Sequence, residues 1–475
     1  MKCGIMKARM GQVAILTQNG FVHLLESVTF MELQFNFEKK TGKIKPMHAV
    51  GQPPTGICDD GIASDLLCYL KQANIPYSRM HDVGAGEFGD NLFVDVPNLF
   101  RNFDADENDP SSYDFTFTDK LFEAMMEYEI EPYFRLGVTI ENAHRIKAYR
   151  VFPPGDFDKW ARVCEHIVRH YNEGWADGYH FGIKYWEIWN EPDNEEDIEL
   201  NNMWKGTKEQ YYDFYAVAAK HLKKCFGDGI KIGGYASTGL YLGYMQTMEK
   251  YQGEHEIDHW EERAIYHTEF LRGFLERVRK DNISLDFFSH HSYLSVRRTL
   301  QVQKYAESIL EEYGLGDVEI HLNEWNTDRT RETRGTSQAA ADAAAMMIAM
   351  QRTKMSMMCY YDARFGTSVY AGIFNPLTRK PFCTLYSFVA FGELYRLGDE
   401  VEVAGEGEGL YAIAATNGEE RGVLIANIGE ERTVTTNLEE GYTVYLIDFD
   451  NHMTPVELDY NCFKLAENQT LYLKK

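Results

Sequence analysis

Hydrophobic and polar positions change rhythm twice along this chain. Near the start, Met31, Leu33, Phe35 and Phe37 alternate with Glu32, Gln34 and Asn36, the period-two pattern of a half-buried strand. Then short apolar runs recur, each followed by a longer amphipathic stretch. The runs predict strands at 45–50, 77–83, 131–138, 184–191, 230–235, 285–293, 318–326 and 354–361. Helical spacing predicts helices at 65–73, 157–171, 208–226, 263–279, 296–313, 337–352 and 381–397. Strands alternating with helices over residues 41–397 predict a closed parallel (β/α)8 TIM barrel. An open doubly wound sheet is the alternative. It is weakened because no Gly-rich phosphate turn follows an early strand.

After residue 397 the helical pattern stops. Strands are expected at 410–416, 422–428, 442–449 and 470–473, with Asn417-Gly418 and Gly429-Glu430-Glu431 supplying turn chemistry. This tail, 398–475, is shorter than the roughly 100 residues of a two-sheet sandwich. The N-terminal strand in segment 1–40 could supply the shortfall. The expected architecture is therefore a barrel beside a small β-sandwich built from both termini.

Composition narrows the partners. The 475 residues carry 48 basic and 73 acidic side chains, a net charge of −25, which argues against nucleic acid or an anionic membrane. The eight cysteines are dispersed, without a C-x-x-C pair, which fits a reducing compartment. Near the N-terminus only the run 13–16 is apolar, too short for an export signal, so a cytoplasmic location is expected. No uninterrupted apolar stretch approaches a membrane span. The longest, 343–350, is rich in Ala and Met and reads as a helix packed inside the protein.

The fourth run carries the candidate chemistry. Tyr185-Trp186-Glu187-Ile188-Trp189-Asn190-Glu191 ends at Pro192, which has no amide proton for a ladder and restricts the residue before it. Asn190 and Glu191 thus stand at the carboxyl end of a buried strand, where α/β folds place their reactions. The other strand ends supply Arg79-Met80-His81-Asp82, His290-His291-Ser292-Tyr293, Asn323-Glu324-Trp325-Asn326, and Tyr360 to Asp362. Glu191 and Glu324 would face each other across the barrel mouth. Glycosidic cleavage needs such a pair: one carboxyl protonates the leaving oxygen while the other attacks the anomeric carbon or activates water. A lone Glu at a strand end is ordinarily a solvated surface group. Two of them in Trp- and Asn-rich apolar segments are not, because burial without a role is costly. Glu187 is expected to be structural, paired with an Arg inside the barrel. His290, His291 and His321 could be metal ligands. However, neighbours on a strand point to opposite faces, and no H-E-x-x-H spacing or Cys cluster occurs, so no metal or other cofactor is expected.

These residues form a recognisable pattern. Trp186-x-x-Trp189-Asn190-Glu191-Pro192-Asp193 and Asn323-Glu324-Trp325-Asn326 resemble glycoside hydrolase family 39, in the clan A retaining glycosidases, which includes β-xylosidases and α-L-iduronidases. Arg79-Met80-His81, the Asp286 to Tyr293 segment and Lys380-Pro381 are similar to further family motifs. The resemblance implies Glu191 as acid/base and Glu324 as nucleophile. It implies Asn190 as partner of the sugar's 2-hydroxyl, Tyr293 as the residue orienting the nucleophile, and His81 and His291 as pocket lining. Trp325 and Asn326 join them as expected substrate contacts. Two positions depart from the pattern. Arg135 stands where the family has Glu on strand three, and Tyr360-Tyr361-Asp362 on strand eight has no Trp.

The expected activity is a retaining exo-glycosidase that releases single sugars from short oligosaccharides by double displacement. On family grounds β-xylose comes first, with β-glucose, β-galactose, α-L-arabinopyranose and uronides as alternatives. A carbohydrate-binding protein on a glycosidase scaffold and a metal-dependent barrel hydrolase are the readings from other classes. The expected partner is a small oligosaccharide or glycoside, with no nucleic acid or membrane. A homo-oligomer is compatible with the chain.

Overall fold

A computed structural model describes residues 29–54, 57–58, 61–62, 66–84, 93–140, 151–249, 260–327, 332–364 and 370–475. The expectations placed on residues 1–28 lie outside them. Eight parallel strands close into a barrel: Ala49–Gly51, Tyr77–Arg79, Glu131–Leu136, Tyr185–Ile188, Lys231–Ser237, Phe287–Ser292, Glu319–Trp325 and Met355–Tyr360. They are called strands one to eight below. Each is followed by a helix of the outer ring: Leu67–Gln72, Thr116–Glu127, Phe157–Glu173, Lys208–Phe226, Trp260–Lys280, Val296–Glu312, Ser337–Gln351 and Cys383–Leu397.

Local chemistry sets the helix limits. Asp156 caps the third helix by accepting from the Lys159 amide, and Gly174, at φ 76°, ends it. Thr207 and Gln210 form a reciprocal capping box on the fourth. The second helix, Thr116–Glu127, was not expected from the sequence. Its buried Thr118, Leu121, Phe122 and Met125 do follow helical spacing, but Phe115 at its start provides no side-chain cap.

The barrel interior is layered. At the bottom, Ala49, Tyr133, Tyr185, Phe287, Met357 and Cys359 form an apolar plug, with His321 stacked on Phe287 at 4.6 Å. Outward-facing residues of the same strands pack under the helices. Trp186 stacks on Phe134 at 5.0 Å, while Tyr185 and Glu187 on either side of it point inward.

The expected β-sandwich takes the form of one mixed sheet of nine strands that curls beside the barrel. Thr29–Lys43 is shared along its length. Thr29 to Leu33 pairs in parallel with Arg432–Thr436, and Gln34 to Lys43 pairs antiparallel with Asp399–Ala404. His452–Val456 forms one edge of the sheet, where Pro455 is tolerated. The two faces of the sheet divide the alternating residues. Ala412, Ala414, Val423 and Ile425 fill the sheet's own core, with Leu33 and Phe35. Ile413, Ala415, Leu424 and Ala426 join the main core. The seventh helix, Ser337–Gln351, packs against this sheet as well as against the barrel. It is accordingly apolar on every side, with Ala339 to Ala341 and Ala343 to Gln351 all buried.

Candidate active site

The polar residues at the mouth belong to strand ends, and the backbone there leaves the extended form. Strand four stops pairing at Ile188, three residues short of its expected end. Trp189 (φ 71°) and Glu191 (φ 46°) lie in the left-handed region, which costs about 1–3 kcal/mol for a non-glycine residue. This breaks the alternation that would send neighbouring side chains to opposite faces. Trp189 turns outward, edge-on to Trp204 at 5.1 Å, and its indole N–H donates to the Met203 carbonyl. Asn190 and Glu191 both turn inward. The Glu191 amide donates to the Ala236 carbonyl at the end of strand five, at 3.2 Å.

Glu324 is held from three sides. Arg79 Nη1 donates to its Oε1 at 2.8 Å, and Tyr293 Oη donates to its Oε2 at 2.7 Å. His81 Nε2 lies 3.6 Å from Oε1. Across the mouth, His291 Nδ1 stands 2.6 Å from Glu191 Oε1 and 3.5 Å from Glu324 Oε2. The two carboxylates and His291 therefore converge, each offering one atom within 4.8 Å of the others.

Below them lies a second polar layer, which the expectation for Glu187 anticipated. Arg79, 1% exposed, donates through Nε to Glu187 Oε2 at 2.7 Å and through Nη2 to Asn190 Oδ1 at 2.6 Å. Glu187 also accepts from Ser289 Oγ at 2.6 Å and from Asn323 Nδ2. One guanidinium thus bridges strands four and seven. Three acceptors in one plane suit its rigid fork, which an ammonium could not match.

The two mouth histidines are shifted in opposite directions. Burial alone lowers the His291 pKa, but Glu324 and Glu191 outweigh it and hold the imidazole above its ordinary value. Burial, then Arg135 and Arg79, push His81 well below. The carboxylates thus favour a proton on His291, whereas burial and the two arginines disfavour one on His81. Arg135, on strand three, reaches toward the strand ends, with Nη1 donating to the Val138 carbonyl and Nη2 3.7 Å from Asp82 Oδ1.

Asn190, Glu191, Glu324, His81, His291 and Tyr293 are thus brought to one place. Trp325 and Asn326 are positioned elsewhere. The Trp325 ring is fully buried, edge-on to Tyr360 at 5.0 Å and facing Phe388 of the eighth helix at 6.5 Å. Strand seven shifts register between Leu322 and Glu324, so that Asn323 and Glu324 both face inward and Trp325 follows them on the helix side. Asn326 Nδ2 donates to the carbonyls of Tyr361 and Ala371, tying the end of strand seven to the chain beyond strand eight. Arg79 and Gln52 were missing from the expected site residues. Arg79 was visible in its motif. Gln52 has no motif and is placed by tertiary contacts alone.

The three histidines weighed as ligands are separated. His290 faces away from His291, and burial lowers its pKa to about 4. Among the described residues, two groups could offer three metal ligands. One is Glu191, His291 and Glu324, in which His291 already hydrogen-bonds Glu191. The other is Glu165, His221 and Cys225 on the third and fourth helices. There Glu165 Oε2 is 2.6 Å from His221 Nε2, and Arg169 holds Oε1. That arrangement is a hydrogen bond between two helices, with the Arg169 guanidinium already beside the carboxylate.

Comparison with known proteins agrees with this geometry. The profile of glycosyl hydrolases family 39 matches residues 55–347. A β-xylosidase of Geobacillus stearothermophilus is 26% identical over 216 residues, which is 44% of this chain and 36% of the relative. A β-xylosidase of Caldicellulosiruptor saccharolyticus is 25% identical over 281 residues, covering 57% and 47%. The chain thus spans less than half the length of these curated relatives. Among solved structures, a glucosidase from Croceicoccus marinus superposes with a TM-score of 0.75 at 20% identity, covering 94% of this chain and 99% of that one. A family 39 β-xylosidase from Caulobacter crescentus gives 0.65 at 15% identity, covering 94% and 99%. At these identities the structural likeness concerns the fold.

Proposed function

We propose a function from one premise: this chain belongs to glycosyl hydrolases family 39, and is an O-glycosyl hydrolase on a TIM barrel. Our reading is a retaining exo-glycosidase acting on a short glycoside by two displacements. The observation that carries it is the approach of Glu191 and Glu324, with carboxylate oxygens within 4.8 Å of each other. Retaining enzymes hold their carboxyl groups about 5–5.5 Å apart, whereas inverting ones leave roughly 6.5–9.5 Å for a water.

In this reading Glu324 attacks the anomeric carbon. Arg79 and Tyr293 each donate to one of its oxygens, so the carboxylate is oriented, and the ionised form is the one that accepts both bonds. As the new C–O bond forms, the bond to the leaving oxygen breaks and Glu191 supplies the proton. His291 engages Oε1 of Glu191. Oε2, with only a 3.5 Å contact from Asn194 Nδ2, is left to carry that proton. In the second step Glu191 takes a proton from water, whose oxygen displaces Glu324. The buried Nδ2 of Asn190, unpartnered among the described residues, suits a donor to the sugar's 2-hydroxyl. β-Xylose is the first glycone to try, because both curated relatives are β-xylosidases. A β-glucoside is second, from the glucosidase with the similar fold.

A panel of aryl glycosides identifies the glycone, and proton NMR of early product gives the stereochemistry. Retention, with Glu324→Ala inactive yet rescued by azide as the inverted glycosyl azide, supports both roles. Early release of the inverted sugar would overturn the mechanism.

A further inference from the structure

Gln52 is a buried amide that neither the motifs nor the reaction above uses. It follows strand one directly, at the carboxyl end where such barrels carry their sites. Its φ of 52° is a left-handed conformation that side chains beyond glycine rarely adopt, and its amide N–H is tied to the Arg79 carbonyl at 3.1 Å. The side chain is only 1% exposed. Nε2 donates to Tyr361 Oη at 2.9 Å, and Oε1 has no hydrogen-bond partner among the described residues.

The setting puts this amide beside the reacting groups. The Tyr361 ring lies 6.4 Å from His81 and, edge-on, 6.3 Å from Tyr293. Those two residues contact Oε1 and Oε2 of Glu324. A buried carbonyl oxygen without a donor is unfavourable, and next to a binding mouth a ligand hydroxyl is the kind of donor that can meet it. The phenol of Tyr361 fixes which way the amide points. A Trp in its place would carry its N–H on the ring and offer no oxygen to accept from Gln52.

We propose that Gln52 is a glycone-reading residue, its Oε1 accepting a hydrogen bond from a ring hydroxyl other than that at C2. The inference rests on the glycosidase reading above. It is directed away from C2 because Asn190 lies on strand four, three strands around the barrel from strand one. The 3- and 4-hydroxyls are the remaining secondary donors of a pyranose ring. A site built to bond a hydroxyl rejects the analogue lacking it far more strongly than an apolar pocket rejects a missing methylene.

The test uses the full chain, the aryl glycoside it turns over best, and the 3-deoxy and 4-deoxy forms of that glycoside. Wild type should lose about a hundredfold or more in kcat/KM on one deoxy analogue. Gln52→Ala should lose a similar factor on the parent and little more on that analogue. Gln52→Glu keeps an acceptor, so it should retain the discrimination if Gln52→Ala fails to fold. Equal deoxy penalties in wild type and both variants would overturn the proposal while leaving the glycosidase reading intact. Absence of turnover on every aryl glycoside would overturn both.

Discussion

Arg79 Nη1 donates to Glu324 Oε1 at 2.8 Å, while the same guanidinium reaches Glu187 and Asn190 on strand four. Two buried carboxylates, each almost fully removed from water, share one buried cation. Replacing Arg79 by Met leaves both uncompensated. We expect a loss of about 3–5 kcal/mol in urea unfolding together with a large fall in kcat/KM. Arg79→Lys keeps the charge without the fork and should lie between. A stability unchanged in Arg79→Met would contradict the account.

Tyr293→Phe removes one bond to an ionised acceptor and keeps the ring, which stacks on Tyr370 at 4.6 Å. A hydrogen bond to a charged group is worth about 1.5–3 kcal/mol, so kcat/KM should drop roughly 10- to 100-fold. The melting temperature should scarcely move. Activity within twofold of wild type would remove Tyr293 from the reaction.

His291 has a pKa raised above its ordinary 6.5 by Glu324 and Glu191, against the effect of burial. The folded state binds this proton more tightly than the unfolded one. Its contribution to stability is therefore complete below about 6.5 and is lost as pH rises through the raised folded value. The gap in unfolding free energy between wild type and His291→Gln should narrow from pH 6 toward pH 9. A gap that widens would reverse the assignment.

His48 and His290 behave in the opposite sense. Burial lowers each from 6.5 to about 4. The unfolded chain binds their protons more readily, so stability falls as pH drops from about 6.5 to 4, by on the order of 3 kcal/mol for each. His290→Leu should make the acid limb of a stability–pH curve shallower. An unchanged limb would show that His290 does not resist protonation.

Trp325 was expected at the substrate, and its ring lies between strand eight and the eighth helix. Trp325→Ala should cost about 3–5 kcal/mol of stability. Trp325→Phe, which keeps the packing largely filled, should leave KM within about twofold. A selective rise in KM without destabilisation would return Trp325 to the pocket.

The sequence by itself determined the barrel, because alternating apolar runs and helical faces are local signals that every βα unit repeats. It also determined which strands carry Glu191 and Glu324 toward their ends, since each lies in an aromatic-rich apolar run, although strand four itself stops at Ile188. Only the tertiary structure decided where the side chains point. Left-handed backbone at Trp189 and Glu191 overrides strand alternation and brings Asn190 and Glu191 inward together, and a register shift in strand seven does the same for Asn323 and Glu324, leaving Trp325 outward. Arg79, Gln52 and Tyr361 stand at the ends of strands two, one and eight, and what each can hold depends on neighbours up to 309 residues away along the chain. Such contacts leave no period in the sequence, because they are set by closure of the barrel, which brings the first and last strands side by side.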